Sequence, residues 1–200
     1  LVERDFGQAL KMAKHINEYN EQRKDIDKQM TEEANLIVSR LETQKHNSSI
    51  VLYDEGWKKG VIGIVASRLT EIYFRPTVVL TRDGDLATGS ARSVTGFDVY
   101  SAIKSCRDLL INFGGHTYAC GLTMKWENVK EFRDRFHQYV AEHIAPEQTE
   151  AMLNIDAMID FKDITKQLHS DLKKFSPFGP CNSKPVFCTQ NVYDYGTSKV

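Results

Sequence analysis

The stretch "SIVLYDEGWKKGVIGIVASRLTEIYFRPTVVL", residues 49–80, decides the fold class. Its opening "SIVLY" is a short apolar, β-branched run that reads as a strand. "VIGIVASRLTEIYF" is long enough, and its apolar residues recur often enough on one side, to read as a helix. "PTVVL" then reads as a second strand, because Pro76 cannot continue the helix and β-branched residues follow it. Working outward, "DLATGSARS" reads as a turn and strand, "FDVYSAIKSCRDLL" as a helix, "CGLTM" as a strand and "VKEFRDRFHQYVAEHI" as a helix. This alternation predicts an α/β domain with a mixed sheet flanked by helices. The last helix has a start signal. Asn128 can cap it while Glu131 reaches back as in a capping box, with Val129, Phe132, Phe136 and Tyr139 on the buried face.

Upstream, apolar residues at Phe6, Leu10, Ala13, Ile16, Tyr19, Ile26, Met30, Ala34, Ile37 and Leu41 fall at helical steps with charges between them. A long helix packed along its own domain is expected, in preference to a coiled-coil seam. The polar break "TQKHNSS" follows. At the other end "APEQTEA" (145–151) reads as a linker with Pro146 as breaker. Beyond it come strand-like "MLNIDAMIDF", a short helix in "DITKQLHSDLKKF", and a Pro/Gly loop, "SPFGPCNSKPVF", running into a strand near Phe187 to Tyr193. This region is too short to close a sheet by itself and reads as the opening of a second domain.

Composition narrows the functional classes. The chain has 200 residues, 41% of them hydrophobic, so a real core is expected. Lys plus Arg number 26 against 27 for Asp plus Glu, a net charge of -1. Bulk attraction to nucleic acid or membrane is therefore absent, and any polyanion site must be a local cluster. Cys106, Cys120, Cys181 and Cys188 have no CxxC spacing and read as reduced residues of a cytoplasmic protein rather than zinc ligands. No apolar run has a membrane-spanning length and no leader-like segment opens the sequence.

Three segments could carry chemistry. In "INFGGHTYACGLTM" (111–124), Gly114 and Gly115 expose backbone to a ligand beside His116; they could equally be a helix stop with a structural histidine. In "TGSARS", Gly89, Ser90, Arg92 and Ser93 read as a second small, polar, cationic turn. Arg forks onto phosphate oxygens and Ser hydroxyls donate, so the two turns together would make a phosphate site. In "DEGWKKGVIGIVASR", Gly60 and Gly63 lie at a helix start, which favours anions, behind Trp57, Lys58 and Lys59. Trp57 could stack on a base or pack in the core, and Gly63 serves close helix packing at least as well. Asp54 and Glu55 read as rim carboxylates, since neighbours on a strand face opposite ways. HExxH, GxxxxGK[ST], GxSxG and clustered Asp/His ligands are all missing, so a nucleophile or metal cage is not expected.

Taken in order, "EGWKKGVIGIVASRL", "RPTVVL", "GSARS", "GFDVYSAI", "FGGHTYACGLTM" and "FGPCNSKPVF" resemble the C-terminal half of the RecJ family, single-strand-specific DNA exonucleases of the DHH phosphoesterase superfamily. The resemblance covers nearly the whole chain. It implies a long connecting helix at 1–45, a DHHA1 domain at 46–145 and the start of an OB-fold domain at 150–200. It also implies a DHH domain, not found in this sequence, whose Asp and His residues hold two Mn²⁺ or Mg²⁺ ions. By the same resemblance Ser90 and Arg92 would hold a 5′-terminal phosphate, and Gly114, Gly115 and His116 would face the scissile phosphate, with His116 stabilising charge there. Arg68 would contact the DNA backbone or form a structural salt bridge. The implied function is the substrate-binding part of a 5′→3′ single-strand DNA exonuclease of repair and recombination, inactive without its DHH domain. Single-stranded DNA and other repair proteins would be its partners. The alternatives are a noncatalytic nucleic-acid-binding module and a phosphodiesterase for short RNA or cyclic dinucleotides. The OB-like tail argues against the last.

Overall fold

A computed structural model describes residues 3–42, 48–179, 181–193 and 196; the side chain of Leu41 and most of the "TQKHNSS" break lie outside the described residues. The chain divides into two compact units, residues 1–150 and 151–200.

In the first unit α1 (Phe6–Glu42) leads to a five-stranded sheet. Its strands are β1 (Ile50–Asp54), β2 (Thr77–Asp83), β3 (Leu86–Arg92), β4 (Leu110–His116) and β5 (Ala119–Lys125), in spatial order β1-β2-β3-β5-β4. β1 and β2 are parallel, joined through α2 (Ile62–Tyr73); all other pairings are antiparallel. The helix reading of residues 61–74 thus holds almost to the residue. α2 stops where Phe74 enters the left-handed region (φ 51°), its N–H returning to Thr70 O at 2.9 Å, just ahead of Pro76.

Strand alternation sorts the core into two layers. Val51, Val78, Leu80, Ala87, Ala91, Cys120, Leu122 and Met124 point to one face, where α3 (Val99–Ser105) and α4 (Val129–His143) cover them with Ile103, Phe132 and Phe136. Ile50, Leu52 and Val79 point to the other face, where α2 packs with Val65, Ala66 and Leu69 and is itself backed by Met30, Ala34 and Val38 of α1. Only the C-terminal part of α1 is used this way. Phe6, Leu10, Ile16 and Tyr19 are exposed, because 37 residues make a rod of about 55 Å, longer than the sheet it packs on.

Four expectations need correction. The helix expected over 97–110 ends at Ser105, and after a short 3₁₀ turn the chain enters β4. Gly114-Gly115-His116 is therefore the end of an edge strand; the turn is at Thr117-Tyr118. The "GSARS" residues Gly89 to Arg92 likewise lie within β3, not in a turn. Finally, Asn128 does not cap α4. It sits at φ -83°, ψ -11° at the end of a 3₁₀ turn, already helical, and its Nδ2 donates instead to Leu109 O at 2.9 Å. Glu131 pairs with Arg135 rather than reaching back.

The second unit contains β6 (Ala157–Met158), α5 (Lys166–Lys173) and β7 (Phe187–Cys188), with β6 and β7 parallel. Strand pairing is much shorter than the alternation predicts. α5 is capped by Thr165, whose Oγ1 accepts from Leu168 N at 3.1 Å. The "PFGPCN" loop is tied by Asn182, whose Nδ2 donates to Phe175 O and Pro177 O, each at 2.9 Å. No described residue of this unit is fully buried.

Candidate functional site

Antiparallel register decides which side chains meet. Thr77 pairs with Arg92, Arg92 with Ala119, and Ala119 with His116. One row further on stand Val79, Ser90, Gly121 and Gly114, and beyond it Thr81, Thr88, Thr123 and Asn112. Paired residues share a face of a sheet, so Arg92, Ser90, Gly114 and His116 all stand on the α2 side. α2 covers only part of that side. Over β5 and β4 the face is open, and a cavity of about 340 Å³ lies there, lined by Lys59, Thr88, Asn112, Gly114, Gly121 and Thr123. Adjacent strands are about 4.8 Å apart, so the Arg92 and His116 backbones stand roughly 10 Å apart.

The glycines have separate reasons. At Gly115 the backbone is at φ +154° and an added Cβ would be 2.1 Å from Ala119 O and 2.7 Å from Cys120 Cα. Only glycine lets β4 close on β5 there. At Gly114 an added Cβ meets nothing within 4 Å, so this residue leaves the open face bare without being required by packing. His116 is exposed, and Tyr118 N–H donates to its Nδ1 at 3.2 Å. That contact makes Nδ1 the acceptor, so in the neutral tautomer the ring proton is on Nε2.

Arg92 is half-buried and densely held. Nη1 donates to Ser90 Oγ at 2.7 Å and Ala91 O at 2.8 Å, and Nε to Ser67 Oγ at 3.1 Å. Among the described residues it has no carboxylate partner. Burial lowers its pKa from the ordinary arginine value, with no acidic neighbour to offset the effect. A partly desolvated guanidinium without a carboxylate partner has the chemistry to receive an anion. Ser93 faces elsewhere, its Oγ donating to Phe97 O at 2.7 Å.

Two other candidates are taken up by the fold. Trp57 is 4% exposed and its Nε1 donates to Glu33 Oε2 at 3.1 Å, so the indole packs the core and offers no face for a base. Arg68 Nη2 meets Asp27 Oδ2 at 2.7 Å, and Asp27 is buried. Arg68 therefore makes the structural salt bridge and ties α2 to α1. Asp54 and Glu55 are exposed at the rim, with Glu55 paired to Arg82. All four cysteines are free, and burial raises the Cys106 and Cys120 thiols above their ordinary pKa, which keeps them protonated and unreactive. Among the described residues no three His, Cys, Asp or Glu side chains come together as metal ligands, so these residues do not fit a two-metal centre. Nor is any described helix long and apolar enough to cross a membrane.

Sequence reasoning passed over Ser67, which orients Arg92, and the Thr88–Thr123–Asn112 row. Neither carries a local signal, since both acquire meaning only through pairing across the sheet.

Comparison with known proteins agrees with this architecture. The DHHA1 domain family matches residues 33–142 and the RecJ OB domain family residues 155–199. The single-stranded-DNA-specific exonuclease RecJ of Bacillus subtilis is 34% identical over 193 residues, 96% of this chain and 24% of that protein. RecJ of Salmonella typhimurium is 28% identical over 190 residues, 92% of this chain and 33% of that protein. The chain thus spans between a quarter and a third of the length of these relatives. The crystal structure of Thermus thermophilus RecJ in complex with Mg²⁺ superimposes with a TM-score of 0.80 at 25% identity, covering 94% of this chain and 28% of that one; the Mn²⁺ complex gives 0.79 at 26% identity, with 94% and 27% covered. With an open-faced mixed sheet in its first unit and an OB match in its second, this chain belongs to the DHHA1 family, in the DHHA1-then-OB arrangement of the RecJ exonucleases.

Proposed function

We propose that this chain is the substrate-holding part of a metal-dependent 5′→3′ single-strand DNA exonuclease. The observation that carries the reading is the cross-strand row Arg92–Ala119–His116, with Ser90 and Gly114 in the next row, running from beside α2 onto the part of the sheet face that α2 leaves open. Arg92 and Ser90 hold a 5′-terminal phosphate, which sets the polarity of degradation. Gly114 lets the nucleotide lie close to the backbone, and the Nε2–H of His116 donates to a phosphate oxygen as negative charge builds on it. The metal ions named with the solved RecJ structures are held, on this reading, by a DHH domain outside these 200 residues, and they supply the activated water. The domain limits proposed are a connecting helix at 1–45, DHHA1 at 46–145 and an OB portion at 150–200. Single-stranded DNA is the partner, and the setting is cytoplasmic DNA repair and recombination.

Two measurements test this. Purified as it stands, the chain should show no Mn²⁺-dependent hydrolysis of single-stranded DNA, and joining it to a DHH domain should restore activity; robust hydrolysis by the chain alone would sink the division of labour. In the joined enzyme, Arg92→Ala should reduce the preference for 5′-phosphorylated ends more than it weakens binding to internal DNA. Equal loss of both would make Arg92 an ordinary backbone contact.

A further inference from the structure

The seat around Arg92 has a wall that neither "GSARS" nor "GGH" supplies. Gly63, in the first turn of α2, lies over the guanidinium. A Cβ built there would be 3.0 Å from Arg92 Nη2 and 3.1 Å from Ser90 Oγ. One turn later Ser67 Oγ donates to Gly63 O at 3.1 Å and accepts from Arg92 Nε at 3.1 Å. The guanidinium is therefore fixed on two edges. Nε is held by Ser67 and Nη1 by Ser90 and Ala91 O, while Nη2 has no hydrogen bond among the described residues. The space that Nη2 and Ser90 Oγ share is the space a side chain at 63 would enter. Glycine within a helix costs stability relative to alanine, and φ at 63 is not in the left-handed region, so what favours glycine here is the close approach of the Arg92 and Ser90 side chains.

Resting on the terminal-phosphate reading, we propose that α2 completes the phosphate seat: Gly63 is a specificity determinant whose missing side chain leaves room for phosphate oxygens between Arg92 Nη2 and Ser90 Oγ. Ser67 is a positioning residue that sets the rotation of the guanidinium. Loss of either should leave DNA contacts elsewhere on the face intact. The phosphate is recognised as a terminal dianion, since an internal diester brings a second ester substituent into a space bounded by helix backbone.

The test is a titration of the 200-residue chain and its variants with two probes, thymidine dinucleotide with and without a 5′-phosphate. Backbone amide and Arg Nε shifts are followed by NMR, and melting temperature is measured alongside. Wild type should bind the phosphorylated probe about tenfold more tightly, as expected for a charge-assisted, two-donor contact. Gly63→Ala should bring the two affinities within about twofold of each other with only a small change in melting temperature, the Arg92 and Ser90 side chains shifting slightly to admit the methyl while alanine's helix propensity offsets the cost. Ser67→Ala should cut the preference roughly threefold, and Ser67→Thr, which keeps the hydroxyl, should restore it. If Arg92→Ala abolishes the preference while Gly63→Ala and Ser67→Ala keep it, the α2 wall is overturned and the phosphate reading stands. If Gly63→Ala weakens both probes equally and lowers the melting temperature, Gly63 is a packing residue and the proposal fails. If wild type shows no preference, or Arg92→Ala retains it, the phosphate reading falls and the proposal with it.

Discussion

Adjacent glycines 114 and 115 should respond oppositely to the same one-carbon change. In Gly115→Ala the new Cβ would stand 2.1 Å from Ala119 O and 3.0 Å from Ala119 C, so β4 must move away from β5 by about an ångström where Gly115 pairs with Cys120. The backbone there is at φ +154°, a sparsely populated conformation costing an L-residue roughly 1–3 kcal/mol, and overpacking adds ~1–3 kcal/mol. Together these give about 3 kcal/mol, a melting-point drop of roughly 6–12 °C for a chain of this size. Gly114→Ala places its methyl where nothing lies within 4 Å and should change stability by less than about 0.5 kcal/mol. Its methyl nevertheless projects onto the open face beside Gly121, so single-stranded DNA binding should weaken. Thermal and urea unfolding, with fluorescence-anisotropy binding of a short oligonucleotide, separate the two. Equal melting points for the two variants would refute the account of Gly115. An unaltered affinity in Gly114→Ala would remove the open face from the binding surface.

Three further outcomes are expected. His137 is half-buried with Ser49 Oγ 2.6 Å from its Nδ1, and burial, aided by the Arg133 charge and opposed by Asp134, pushes it down from 6.5 to about 4. Because the folded pKa is the lower one, its contribution is complete above pH 6.5 and is lost as pH falls from there toward 4; by pH 5 the loss is about 1–2 kcal/mol, allowing for the part of the ring that solvent still reaches. Urea unfolding of His137→Gln between pH 7.5 and 5 should show a shallower slope than wild type, and parallel slopes would exclude this group. Arg68→Ala should destabilise the chain by about 1–3 kcal/mol, because it leaves the buried Asp27 carboxylate unpaired, while DNA affinity stays within about twofold; the reverse pattern would return Arg68 to the DNA surface. Trp57→Phe should lower stability through the lost Nε1–Glu33 bond by about 1 kcal/mol without changing base preference in binding.

Much of the fold was legible because it rests on local period and punctuation. α2, β2, β3, β5 and α4 lie close to where apolar spacing and Pro76 place them. β4 was not legible. As an edge strand with one core-facing side chain on its outer stretch, Phe113, and two glycines, it lacks the alternation that marks a half-buried strand. Its entry is also offset by a bulge between Leu110 and Asn112. The site was legible only as parts. Arg92, Ser90, Gly114 and His116 can be named from residue type, and the RecJ resemblance gathers them.

What the sequence by itself determined is the α/β class, the order of the elements, the presence of two glycine-bearing polar segments and the family. The tertiary structure decided which candidates share a surface. Arg92 and His116 are 24 positions apart in the chain yet two strands apart in the sheet, a proximity set by antiparallel register. Trp57 and Arg68 carry the same residue types as binding groups, but the packing of α1 encloses one and pairs the other. Exposure and partnership are properties of the packed sheet and helices, and no local pattern encodes them.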